Sequence, residues 1–208
     1  MAYLDAHGDQ LVLPQVQHIA SPSARLLPQV TAWMGEISPG VRLETQAFAD
    51  LSLARLSFSF VAGGATSRPL RPTSVGFGLS YTLPVVVALL SAPAGSLVLV
   101  ENPEAHLHPR GQAAMGDLVV RAAAAGVQVI VETHSDHVLN GVRIAVKEGR
   151  AGPEHVGFHF FRRATETRDG DTRLVHVVDS PCIDTDGRID CWPAGFFDQY
   201  DLSLEKLL

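Results

Sequence analysis

Lysine is nearly absent from this chain. Of its 208 residues only Lys147 and Lys206 are lysines, and neither follows a G-x-x-x-x-G-K-[ST] string. The glycine-and-lysine cradle that grips nucleotide phosphates is therefore not encoded in these residues. Cysteine is as scarce: Cys182 and Cys191 are too few for a disulfide framework or a four-thiolate zinc site, and suit a reducing compartment. The longest apolar run, Leu83 to Leu90, contains Pro84 and falls far short of the roughly 20 residues that span a bilayer. The opening MAYLDAHGDQ lacks the basic start and apolar middle of a secretory signal, so a cytoplasmic location without membrane association is expected. Basic residues are outnumbered: the net charge of −6 argues against a surface made chiefly to neutralise phosphates, although an acidic average leaves room for a local basic patch, so a nucleic-acid partner stays open but unsupported by charge.

What is present is a chain with 46% apolar residues, long enough to bury a real core. In residues 1–70, Leu11 to Ile19 reads as a strand or extended arm and Ala24 to Ile37 as a helix broken near Pro28. Val41 to Phe48 and Leu53 to Val61 alternate as half-buried strands do. Residues 71–150 change pattern. An apolar helix runs from Gly78 to about Ser91, a strand over Ser96 to Glu101, and a helix from Pro109 to Ala125. A second strand over Val127 to Thr133 and a helix from Ser135 to about Glu148 follow. Strands apolar on both faces and separated by helices imply an α/β fold whose parallel sheet is covered on both sides. Gly126 stands where a helix end hands over to a strand.

Residues 151–208 read as a β-rich extension, with strands at His155 to Arg163 and Arg173 to Asp179. A hairpin signal follows at Asp186-Gly187, and the tail is aromatic-rich and ends helix-like. A two-residue turn there would set Cys182 opposite Cys191, although free thiols are expected in a reducing compartment.

Three strings carry chemistry. LVLVENPEAHLHP ends an apolar strand in Glu101, and the carboxyl ends of parallel strands are where such sheets bind ligands. VQVIVETHSDH repeats the design one strand later, presenting Glu132 and His134 before Ser135, a suitable helix N-cap. Two adjacent strand ends would thus display Glu101, Asn102, Glu104 and His134 together. In TSVGFGLSYTLP the small residues Ser74, Gly76, Gly78 and Ser80 lead into a helix, where free N–H groups can meet a phosphate.

In this order the strings resemble the second half of ABC-class ATPases of the SMC, RecF and OLD type. They are most similar to a bacterial AAA-family ATPase group with a WPxGFFDQ C-terminal extension. Val75 to Ser80, Glu101 to Pro109, Glu132 to Gly141 and Trp192 to Gln199 carry the likeness. The resemblance implies that Ser74 and Gly76 are signature residues touching the γ-phosphate of ATP held by an opposing P-loop. It implies that Glu101 is the Walker B acid holding Mg²⁺ through water, and that His134 is the switch histidine. Asn102 stands where many relatives place a catalytic Glu, which leaves Glu104 or Glu132 to act as base. A Walker A partner, as a separate protein or lobe in a homo- or hetero-oligomer, is expected to complete the site, unless that half has been lost or cut off. Two alternatives follow from the residues. A metal-dependent hydrolase would use His106-x-His108 and His134-x-Asp136-His137. A non-catalytic module would use the aromatic tail to bind a partner, or that tail would simply pack.

Overall fold

The structure is a computed structural model and describes residues 2–48, 53–168 and 171–208. A short helix α1 (Ala2–His7) precedes an irregular arm, which contains one 3-10 turn at Pro14–Val16 in place of the expected strand. Two residues of the following helix, α2 (Leu26–Ile37), hold this arm. The buried Gln29 accepts the His18 N–H at 2.6 Å and donates to Ser23 O at 2.9 Å, while Trp33 Nε1 donates to Val16 O at 2.9 Å. Helix α2 is unbroken at Pro28. That residue is third in the helix, where a backbone N–H would have had no intrahelical acceptor.

Strands β1 (Val41–Phe48) and β2 (Leu53–Ala62) pair antiparallel from Val41↔Phe60 to Phe48↔Leu53, and β3 (Ala65–Thr66) adds a short return. Their alternation turns Val41, Leu43, Leu56 and Phe58 inward. One hydrophobic cluster runs from Leu4 to Val127, so residues 1–70 share their core with the helices and strands that follow.

Helix α3 (Phe77–Ser91) is apolar along most of its length and buries one face, with Gly78, Leu79, Thr82, Leu83, Val86, Leu89 and Leu90 turned inward. Pro84 leaves the Ser80 carbonyl without its i+4 donor and lies on the exposed side, where water can serve that carbonyl. Strand β4 (Leu97–Glu101), helix α4 (Pro109–Ala124), strand β5 (Gln128–Glu132) and helix α5 (Asp136–Lys147) complete the α/β unit. Gly126 joins α4 to β5 at φ 86°. Strands β4 and β5 are parallel and in register from Leu97↔Gln128 to Glu101↔Glu132.

The expected α/β unit is present, a parallel sheet with helices packed against it, and among the described residues that cover lies on one face only. Val98, Val100 and Val129 pack toward the core, but the opposite face is open. Leu97 is 54% exposed, Leu99 69% and Ile130 53%. Helices α4 and α5 pack on each other, and no described element lies over that face. The apolar pattern on both faces is real; the second cover is not among the described residues.

Helices α4 and α5 approach so closely that a Cβ on Gly116 would overlap Val138 O and one on Gly141 would overlap Ala113 O. The glycine of the ETHSDHVLNG string therefore serves helix packing. Gly141→Val should destabilise the chain by about 1–3 kcal/mol through overpacking. Urea unfolding would read this as a lower midpoint with an unchanged slope.

In the extension, a 3-10 turn at Pro153–His155 displaces the start of the expected strand, and the hairpin is β6 (Phe160–Arg168) against β7 (Asp171–Asp179). The turn at Asp186-Gly187 also differs from expectation. Ile183 bridges Ile189 and the Asp184 N–H donates to Arg188 O, so the loop holds three residues, with Gly187 at φ 72°. That extra residue shifts the register, and Cys182 faces Asp190 rather than Cys191. The Asp190 carboxylate accepts the Cys182 N–H at 2.8 Å, which holds its pKa below the usual carboxylate value; both thiols are free. Phe196 is buried among Leu139, Phe158, Phe160, Ile189 and Phe197, and the Arg143 guanidinium lies over the Trp192 ring, so the aromatic tail packs on α5; Arg143 Nε also donates to Gly187 O in the preceding turn. The chain ends in a short helix, α6 (Gln199–Glu205). Among the described residues no helix is long and apolar enough to cross a membrane.

Candidate nucleotide site at the strand ends

Parallel pairing carries β4 and β5 to a common carboxyl edge, where Glu101 and Glu132 are register partners and both exposed. By the alternation of a strand both lie on the open face, beyond Leu99 and Ile130. Past the edge the backbone turns sharply. Asn102 has φ 48°, a left-handed conformation that Asn tolerates better than most residues. Its N–H donates to Glu132 O at 2.9 Å and its carbonyl accepts the Ala105 N–H, so the turn is tied to the neighbouring strand. His106, at φ 61°, is a second left-handed position in the same loop.

Glu104 reaches across to the next loop, where its Oε1 accepts the His134 N–H at 2.9 Å. Its Oε2 is buried without a hydrogen-bond partner. The His134 ring is turned the other way, with Nε2 2.8 Å from Glu132 Oε1. Ser135 caps α5 as expected, accepting the N–H groups of His137 and Val138. Glu101, Asn102, Glu104, Glu132 and His134 thus form one group.

The small-residue string forms a second group. Ser74 lies in a 3-10 turn, Pro72–Ser74, and is exposed; Gly76 is the exposed N-cap of α3, with open space where a Cβ would be. Ser80 Oγ donates to Pro72 O at 3.2 Å and fastens this turn to the helix. Gly78 is buried, and a Cβ there would lie 2.5 Å from His106 O. The two groups touch through that contact, through the Phe77 ring edge-on to His106 at 4.9 Å, and through Tyr81 Oη donating to Glu101 O at 2.9 Å.

Tyr81 and Gln112 are site residues that the sequence did not single out. Gln112 donates to Leu107 O at 2.8 Å and accepts from Ser135 Oγ, tying the loop after β4 to the start of α5. A side chain that bonds main chain across elements leaves no spacing pattern to read.

The histidines do not converge. His106 packs on Phe77, His108 caps α4 through Nδ1, and His137 lies beside Asp136. Among the described residues no three His, Cys, Asp or Glu side chains are grouped to hold a metal ion, so the hydrolase alternative lacks a ligand cluster. A single carboxylate facing the open end of a strand is nevertheless a sufficient protein ligand for Mg²⁺, which keeps several waters and takes its other ligands from phosphates. Glu101 fits that role.

Acids in register at a parallel strand edge, beside a glycine-led helix start, stand where open parallel sheets bind ligands. The chain belongs to the family described as "AAA domain, putative AbiEii toxin, Type IV TA system", whose model matches residues 30–140. A second family, a protein family of unknown function (DUF3696), matches residues 152–207 and so covers the extension. No curated protein matches the chain. Solved structures with some likeness include one from work on ATP-driven dimerization and DNA-stimulated activation of SMC ATPases. It has 16% identity and a TM-score of 0.42, over 73% of this chain and 83% of that one. The SmcHead bound to the C-winged helix domain of ScpA has 18% identity and a TM-score of 0.41, over 73% and 42%. An Smc head domain with an extended coiled coil bound to the C-terminal domain of ScpA, from Pyrococcus furiosus, has 16% and 0.41, over 88% and 37%. The chain therefore spans most of the first structure's length but less than half of the other two.

Proposed function

We propose that this chain supplies the signature, Walker B and His-switch elements of an ATP-hydrolysing site that a P-loop lobe completes, whether that lobe is another polypeptide or another part of a longer one. The observation that carries this reading is the open apolar face of β4 and β5, which ends in the register pair Glu101 and Glu132. A two-stranded parallel sheet with one bare apolar face is half of a buried sheet. Its acids stand at the edge where such sheets bind ligands.

In the completed site Glu101 would hold Mg²⁺ through water and His134 would meet the γ-phosphate. Ser74 and Gly76 would face nucleotide held mainly by an opposing lobe, with Gly78 and Ser80 fixing the shape of that turn. Asn102 would line the site without accepting a proton. Bound Mg-ATP supplies the scissile phosphoanhydride and the charge that neutralises it; this chain orients and senses.

A chain that completes a phosphate site without a cradle should bind Mg-ATP no tighter than about millimolar by itself. Titration calorimetry giving micromolar affinity for the pure chain would contradict the reading. Failure of any P-loop lobe to bind the chain would favour a non-catalytic interaction module.

A further inference from the structure

Two side chains join the loop that follows β4 to the loop that follows β5. Glu104 Oε1 accepts the His134 main-chain N–H at 2.9 Å, across thirty residues of chain. Gln112, in the first turn of α4, donates to Leu107 O at 2.8 Å and accepts from Ser135 Oγ at 2.5 Å, and Ser135 in turn caps α5. The second Glu104 oxygen, Oε2, is buried without a hydrogen-bond partner. A carboxylate with one oxygen on a main-chain N–H and the other shut off from solvent has neither placed to reach a water molecule, which a general base must do.

We propose that Glu104 is a positioning residue for His134 and not the base of the reaction: its carboxylate holds the His134 main chain, and with it the root of the imidazole, in place beside the strand ends. The purpose of that hold rests on the nucleotide-site reading; the hold itself does not. Accepting one main-chain N–H needs an oxygen but no negative charge, whereas a base needs a group that can take a proton. Glutamine keeps the oxygen and cannot serve as the base, so Glu104→Gln separates the two roles. The tie through Gln112 and Ser135 does not pass through Glu104, so the loops stay joined when Glu104 is replaced.

The first test uses the 208-residue chain without nucleotide or partner. Amide hydrogen exchange followed by NMR reads the His134 N–H directly. Glu104→Ala should speed its exchange by about fivefold or more, and Glu104→Gln by no more than about twofold, because the amide oxygen takes over as acceptor. The N–H of the buried Phe58, bonded to Leu70 O, serves as the unchanged reference for the fold. An unchanged His134 rate in Glu104→Ala overturns the proposal, and so does a rate in Glu104→Gln as fast as alanine gives. Glutamine keeps the size of the side chain, so that variant decides the matter if alanine at this position impairs folding.

The second test uses the assembly with a P-loop lobe. Glu104→Gln should keep Mg-ATP turnover within about threefold, whereas loss of a base would cost about a hundredfold. Glu104→Ala should lower kcat by about tenfold or more with KM changed by less than about threefold, and added to His134→Ala it should cost no further turnover. A loss of about a hundredfold in Glu104→Gln, or a further loss of about tenfold in the double variant, would mean that Glu104 acts on the reaction by itself, and would overturn the positioning role. Absence of turnover in the unmodified assembly would count against the nucleotide-site reading, leaving the exchange result standing.

Discussion

In an assembly with a P-loop lobe, Glu101→Gln should lower Mg-ATP turnover by on the order of a hundredfold or more, the scale of losing one charged group at a phosphoryl-transfer site. The substitution keeps the size of the side chain, and no described hydrogen bond to the carboxylate is lost, because the Tyr81 hydroxyl binds the Glu101 main-chain oxygen. The fold should therefore be untouched and the deficit confined to metal binding. His134→Ala should act differently, lowering turnover more than nucleotide affinity, since its contact is expected to matter as charge moves in the transition state. Single-turnover kinetics with saturating Mg-ATP separates the two effects. If both variants hydrolyse ATP at the unmodified rate, the strand-end assignment is wrong.

How much of this could be read from the sequence depended on whether a feature has a period or a local cap. Helices α3, α4 and α5 and strands β4 and β5 lie close to their expected spans, because long apolar elements with Gly126 and Ser135 at their ends are locally specified. The arm of residues 8–25 was not legible: its shape depends on Gln29 and Trp33, which reach it from a helix further along the chain. The Cys182 register depended on whether a turn held two residues or three, a difference that the Asp-Gly signal does not encode. At the site, the strings located Glu101, Glu132 and His134 at adjacent strand ends. They could not reveal that Glu104 is bonded to the backbone of His134, or that Asn102 sits in a left-handed turn. The second point gives Asn102 a conformational reason for its identity, whatever its place in the chemistry.

Placing charge on the open sheet face should abolish assembly while leaving this chain folded. Leu99 and Ile130 face each other across β4 and β5, are more than half exposed, and lie on the face opposite the core cluster. Aspartates there would be solvated in the isolated chain, so Leu99→Asp with Ile130→Asp should keep its circular dichroism and lower its thermal midpoint only modestly, through repulsion between carboxylates directly opposite each other. Once a P-loop lobe covers the face, the same carboxylates would have to be buried without partners, which costs several kcal/mol and outweighs the roughly 1–2 kcal/mol that each apolar side chain gains from cover. The dissociation constant for the lobe should therefore weaken at least a hundredfold, about 2.7 kcal/mol or more. Leu174, at 65% exposure on the extension hairpin, provides the matched comparison, and Leu174→Asp should leave affinity unchanged. Sedimentation velocity on equimolar mixtures reads all three cases. Undiminished binding by the doubly charged variant would mean that the lobe does not sit on this sheet, and the bare face would then need a different occupant.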